Sequence, residues 1–91
     1  METKRIIVSG FVQGVGFRWA TQLLAKDLKV KGTVKNLANG NVEIIAQGNS
    51  LQLAHFISKV KACPTPAGRV DRVSVEDLPA KDKFHSFNIV Y

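Results

Sequence analysis

The chain has 91 residues, one cysteine, and 13 Lys plus Arg against 7 Asp plus Glu, a formal net charge of +6. That length makes one domain that buries somewhat over ~60% of its unfolded surface, so every element must serve one core. A lone cysteine excludes an internal disulfide and a Cys-rich zinc site, which suits a reducing compartment, and the basic balance points to an anionic partner: nucleic acid, an acidic surface or a phosphorylated small molecule.

Lys4 to Val12 reads as a strand, rich in β-branched residues, with Ile6 and Val8 on one face and Ile7 and Ser9 on the other. Its apolar run is too short for a signal peptide or a membrane span, so a soluble cytoplasmic protein is expected. Gln13 to Gly16 breaks the pattern with two glycines. Phe17 to Val30 then reads as a helix: Phe17, Ala20, Leu24 and Leu28 recur at helical spacing, Leu23 widens the stripe, and Gly32 is expected to close it. Thr33 to Leu37 reads as a second strand, and Asn39-Gly40 favours the positive φ angles of a tight hairpin into Val42 to Gln47. There Val42, Ile44 and Ala46 share a face.

Asn49 or Ser50 can cap the next helix, with Gln52 placed for a capping box. Leu53, Phe56, Ile57 and Val60 form its core stripe, and Pro64 and Pro66 stop it. A loop leads to a strand over Val70 to Glu76, and His85 to Tyr91 reads as the last strand, with Phe87, Ile89 and Tyr91 on one face. The order β-α-β-β-α-β plus a short final strand predicts an α+β, ferredoxin-like split βαβ sandwich. Two helices lie on one face of a mostly antiparallel sheet, and residues 1–91 form a single domain.

The first place for chemistry is Gln13-Gly14-Val15-Gly16-Phe17-Arg18. Glycines let the backbone turn its N–H groups into one concavity, the start of the following helix adds free donors, and Arg18 supplies a planar fork suited to phosphate oxygens. A dinucleotide fingerprint fails because Trp19 stands where a third glycine is needed, and no Gly-Lys-Ser or Gly-Lys-Thr completes a P-loop. On spacing alone, an oxyanion cradle and a mere tight turn are equally open. Asn36, near the end of the second strand, can orient a water through its donor and its acceptor. Alone, as one of five asparagines, it reads more readily as an ordinary turn-flanking residue.

Together these segments carry a resemblance. Gly10-Phe11-Val12-Gln13-Gly14-Val15-Gly16-Phe17-Arg18 resembles the first signature of the acylphosphatase family. Gly32-Thr33-Val34-Lys35-Asn36, followed by Gly40, Val42 and Gly48, resembles the second. The resemblance covers about Thr3 to Tyr91 and implies the ferredoxin-like fold. It also implies hydrolysis of the carboxyl–phosphate bond of small acyl phosphates without a metal or other cofactor. By that resemblance Arg18 holds the phosphate, Asn36 orients the attacking water, and the loop from Gln13 to Arg18 donates backbone N–H groups. Two positions depart from the family pattern: Phe11 where a basic residue is usual, and Thr33 where an aromatic is usual. Phe11 removes a positive charge near the loop and bears on substrate preference, whereas Thr33 bears on packing around the second strand.

The rest of the chain offers no acid–base constellation. His55 and His85 read as structural histidines, and Cys63, before Pro64, as a small buried apolar residue. Such poverty fits the implied reaction. A carboxylate leaving group, with a conjugate acid of pKa roughly 4 to 5, needs little protonation, so the barrier lies in positioning and electrostatics. The expected partners are an acyl phosphate and, as product or inhibitor, phosphate or sulfate, with no nucleic acid or membrane and a monomeric protein. The alternatives are a ferredoxin-like module that binds RNA or protein without catalysis, and a family member that has lost activity or serves a larger machine. An RNA-binding module is disfavoured because Val42 to Gln47 contains no aromatic residue on which a base could stack.

Overall fold

The computed structural model describes residues 1–79 and 82–91. Its elements follow in the order β1 (Glu2–Phe11), α1 (Phe17–Asp27), β2 (Lys31–Asn36), β3 (Val42–Gly48), α2 (Ser50–Lys61), β4 (Arg69–Leu78) and β5 (Phe87–Ile89). The strands form one sheet, ordered β4-β1-β3-β2-β5 and antiparallel except where β5 runs parallel to β2. This is the expected ferredoxin-like α+β architecture. Among the described residues no helix is long and apolar enough to cross a membrane.

Alternation along the strands decides which face is covered. Ile6 faces Ile44, Val8 faces Val42, and Val34 faces Ile44, so these side chains share one side of the sheet. On that side lie Phe17, Thr21 and Ala25 of α1, and Leu53, Phe56 and Val60 of α2, all buried. Phe56 meets Phe87 of β5 with ring centroids 6.0 Å apart. Burial of each large apolar side chain stabilises the fold by about 1.5–3 kcal/mol. The opposite face is polar: Arg5 reaches Glu43 at 2.7 Å and Glu76 at 3.6 Å, and Lys35 lies 3.9 Å from Glu43. Thr33 lies on this outer face, opposite Ile45, so it does not enter the packing beneath α1.

The local differences from the sequence expectation have physical causes. The buried centre of α1 is Phe17, Thr21 and Ala25, with Leu24 and Leu28 at its flanks and Leu23 exposed. Small side chains at the centre let the helix sit close to the sheet, and the leucines fill the margins. The helix ends at Asp27 rather than Val30, in a Schellman turn. Lys29 adopts φ 61°, its N–H donates to the Lys26 carbonyl at 3.2 Å, and the Val30 N–H donates to the Ala25 carbonyl at 2.8 Å.

Gly32 therefore does not cap α1. It sits inside β2, where an added Cβ would lie 1.7 Å from the Ile45 carbonyl oxygen, so strand pairing, not helix termination, requires a glycine. The hairpin between β2 and β3 spans residues 37–41, and only Gly40 takes a positive φ; Asn39 instead accepts the Asn41 N–H on its side chain. β4 extends beyond the expected span because, as an edge strand, it shows little burial alternation. β5 is shorter than His85 to Tyr91, leaving Tyr91 exposed beyond it.

β4 and β5 occupy opposite edges of the sheet. Gln47 anchors residues 82–84, which lead into β5. Its buried amide donates to Thr3 Oγ1 at 3.0 Å and to the Asp82 carbonyl at 2.7 Å, and accepts the Phe84 N–H at 2.9 Å.

Candidate active site

The loop between β1 and α1 takes its shape from two glycines. Gly14 and Gly16 have φ angles of 76° and 79°, a left-handed conformation that other residues adopt at a cost of roughly 1 kcal/mol or more. Gly16 is also the residue at which α1 begins, and it offers no side chain to the helix. The first helical bond is the Ala20 N–H to the Gly16 carbonyl, at 3.0 Å. The amides of residues 17–19 thus precede the intrahelical ladder, and no acidic residue lies in the first turn to meet them. The positive end of the helix dipole faces the same space.

Gln13 and Thr65 hold this loop from either side. The Gln13 side-chain amide donates to the carbonyls of Leu37 and Asn41, both at 2.8 Å, so it pins the loop to the β2–β3 hairpin rather than pointing into the concavity. Thr65, itself buried, donates to the Val15 carbonyl at 3.0 Å. Phe17, expected within the loop, is already helical, and its ring lies in the core, so only its backbone borders the concavity. Val15 packs against the same core.

These constraints leave a cavity of about 170 Å³. Gly14, Gly16 and Arg18 form one wall, and Asn36 faces them from the end of β2. Asn36 stands opposite Val42, on the helix-covered side of the sheet, one strand position beyond the last full core layer. Its Oδ1 is buried and has no hydrogen-bond partner among the described residues. A second buried side-chain oxygen unpaired among the described residues, Thr21 Oγ1, lies beneath α1 and does not line the cavity. An orphaned acceptor usually costs about 1–3 kcal/mol, which makes a polar occupant favourable at Asn36.

Aromatic side chains form the rim. Tyr91 lies with its ring centroid 5.0 Å from the Arg18 guanidinium carbon, a stacking contact, and Trp19 stands exposed beside it. Among the described residues Arg18 meets no carboxylate within 4.0 Å, so its charge faces the cavity without a neutralising partner. Phe11 is exposed and does not line the cavity.

Arg18 and Asn36 are thus brought together from positions 18 residues apart, while His55 and His85 remain exposed and outside the cavity. Cys63 is half-buried, in a left-handed turn that follows α2, so the expectation of full burial is corrected. The turn places it at the rim of the core, where its thiol meets the Thr65 carbonyl at 3.3 Å. Tyr91, Trp19 and Thr65 carried no signal in the sequence, because each reaches the site through tertiary placement.

Comparison with known proteins adds a family to this geometry. The family model described as Acylphosphatase matches residues 4–89. An acylphosphatase of Lactobacillus gasseri is 52% identical over 91 residues, covering all of both chains. A crystal structure of acylphosphatase from Bacillus subtilis superposes with a TM-score of 0.95 at 43% identity, again over the whole of both chains. An acylphosphatase structure from Coxiella burnetii gives a TM-score of 0.91 at 30% identity, covering 98% of this chain and 92% of that one.

Proposed function

This chain belongs to the acylphosphatase family and is an enzyme of that class, and from that premise we propose a division of labour among its residues. The phosphoryl group of a small acyl phosphate sits at the start of α1. The backbone N–H groups of the loop from Gly14 to Arg18 donate to its oxygens, and Arg18 holds them with its guanidinium fork. Asn36 accepts a hydrogen bond from water on its unpartnered Oδ1 and aims that water at phosphorus from the side away from the acyl group. As the water oxygen bonds to phosphorus, the bond from phosphorus to the carboxyl oxygen breaks, its electron pair leaves with the carboxylate, and a water proton is released to solvent. A carboxylate departs without protonation, so the site needs donors and positioning rather than a general acid.

The observation that carries this reading is the buried, partnerless Oδ1 of Asn36 in the same cavity as Arg18 and the uncapped helix start. All the groups in it come from one chain, which fits a monomeric enzyme, and a single unpaired cysteine suits the cytoplasm. Benzoyl phosphate hydrolysis tests the assignment. Asn36→Ala should lower kcat by about 10²–10³ with the circular dichroism spectrum unchanged. Full activity in that folded variant overturns the role given to Asn36. Phosphate should inhibit competitively and shift the amide resonances of residues 14–18.

A further inference from the structure

At the opposite end of the sheet lies a larger cavity, of about 410 Å³. The two sites border opposite ends of β2: Asn36 closes one and Lys31 opens the other, five residues apart, or roughly 16 Å along a strand. We propose that this second cavity is an anion site for a compact polyphosphate, separate from the catalytic one.

The distribution of charge carries the argument. Among the described residues, five of the chain's 7 carboxylates, those of Glu2, Glu43, Asp71, Glu76 and Asp77, pair with Lys4, Arg5, Lys35 and Arg69 on the strands. The basic excess therefore lies elsewhere. Three exposed lysines, Lys29, Lys31 and Lys83, line the cavity together with His85. No carboxylate lines it, and among the described residues none of the three lysines forms an ion pair. They come from three separate places: the Schellman turn of α1, the start of β2 and the crossover before β5. The Schellman turn and the Gln47 anchor bring them to one place, so the convergence is a product of the fold and not of a basic run.

The same walls indicate what kind of ligand fits. Of the side-chain amides that border the cavity, Gln47 makes three bonds within the protein, and the oxygens of Asn49 and Gln52 accept each other's backbone N–H, so these amides add at most neutral donors to the site. The charge that attracts an anion comes from the lysines. They act as point charges and select for the number and closeness of negative charges rather than for a particular molecular outline. Three such charges around a space within the usual range of small-ligand pockets match two or more linked phosphate groups better than one.

Inorganic triphosphate is the probe, followed by amide chemical shifts on the intact chain. The expected result is a saturable set of shifts at residues 29–31 and 83–85, distinct from any at 14–18 and weakening as salt rises. Monophosphate should bind there at least tenfold more weakly. The combined substitution Lys29→Gln, Lys31→Gln and Lys83→Gln should weaken triphosphate at least tenfold and leave benzoyl phosphate turnover unchanged. Lys59→Gln, Lys61→Gln and Arg72→Gln, which remove as much charge elsewhere, should preserve binding. Shifts confined to residues 14–18, equal binding of monophosphate, or loss of binding in both triple variants overturns the proposal. Because the readout is binding, it stands or falls independently of the roles given to Arg18 and Asn36.

Discussion

Helix α2 begins on Asn49, whose side chain accepts the Gln52 N–H at 2.8 Å while Gln52 accepts the Asn49 N–H at 2.9 Å. Helix α1 begins on Gly16, left-handed and without a side chain to offer. The Ser50 hydroxyl of α2 also donates to the Glu2 carboxylate, whereas the first turn of α1 holds no acid. One helix start is closed by its own residues and the other is open to a ligand. A side-chain cap is worth typically about 1 kcal/mol, so leaving α1 bare forgoes stability of that order. What the open start gains is a set of oriented donors beside an uncompensated arginine. With the proposed site at α1, stability and function are separated onto the two helices, and substitutions should reveal the separation.

The sharpest break should come at α1. Arg18→Ala is expected to lower kcat/KM for benzoyl phosphate by about 10²–10³ or more, with little change in melting temperature, since the guanidinium faces a cavity rather than the core. Gly16→Asp tests the open start itself. Nothing lies within 4 Å of an added Cβ, so the aspartate meets no clash; at φ 79° it bears roughly 1 kcal/mol of backbone strain, which Gly16→Asn shares, and it places a negative charge at the proposed phosphate site. A loss of about tenfold in kcat/KM, or about 1.4 kcal/mol, is expected, and Gly16→Asn should lose less. Steady-state kinetics on the three variants checks the order.

At α2 the effects should be confined to stability. Asn49→Ala removes the capping box and should destabilise the protein by about 1 kcal/mol, a fall of about 4–8 °C in melting temperature, with kcat unchanged. Calorimetry paired with an activity assay reads both. A parallel loss of kcat would show that the two helix starts are coupled.

The smallest effect is that of pH. The Ser50 hydroxyl, followed by Lys4, holds the Glu2 carboxyl below the usual carboxylate range, and Arg69 does the same for Asp71. A depressed folded pKa contributes stability above the unfolded value, near about 4, and loses it as pH falls through the folded value. Melting temperature should therefore decline as pH drops below about 4, and Glu2→Gln should flatten part of that decline.

How much of this was legible in the sequence varies from residue to residue. The capping box of Asn49 and Gln52 was readable because both partners lie within four residues and their geometry is that of a helix start. The glycine loop was readable as a turn for the same reason. Gly32 was misread because a glycine beyond a helix resembles a terminator, and the Ile45 carbonyl that demands it comes from another strand. Lys29 took the left-handed position instead, although nothing in lysine favours it. Gln13 read as part of a phosphate loop, yet its side chain clamps the hairpin near Asn36.

The sequence by itself determined the periodicity of the elements, their order, the faces that Ile6, Val8, Val42 and Ile44 present, and the capping box of α2. These depend on spacings of two to four residues, which the chain carries wherever it is placed. Only the tertiary structure decided that the Asn36 acceptor is buried without a partner, that Tyr91 stacks on Arg18, and that Thr65 and Gln47 brace segments far away in sequence. Burial and long-range hydrogen bonding depend on which surfaces meet when the sheet closes against its two helices, and no local spacing encodes that meeting.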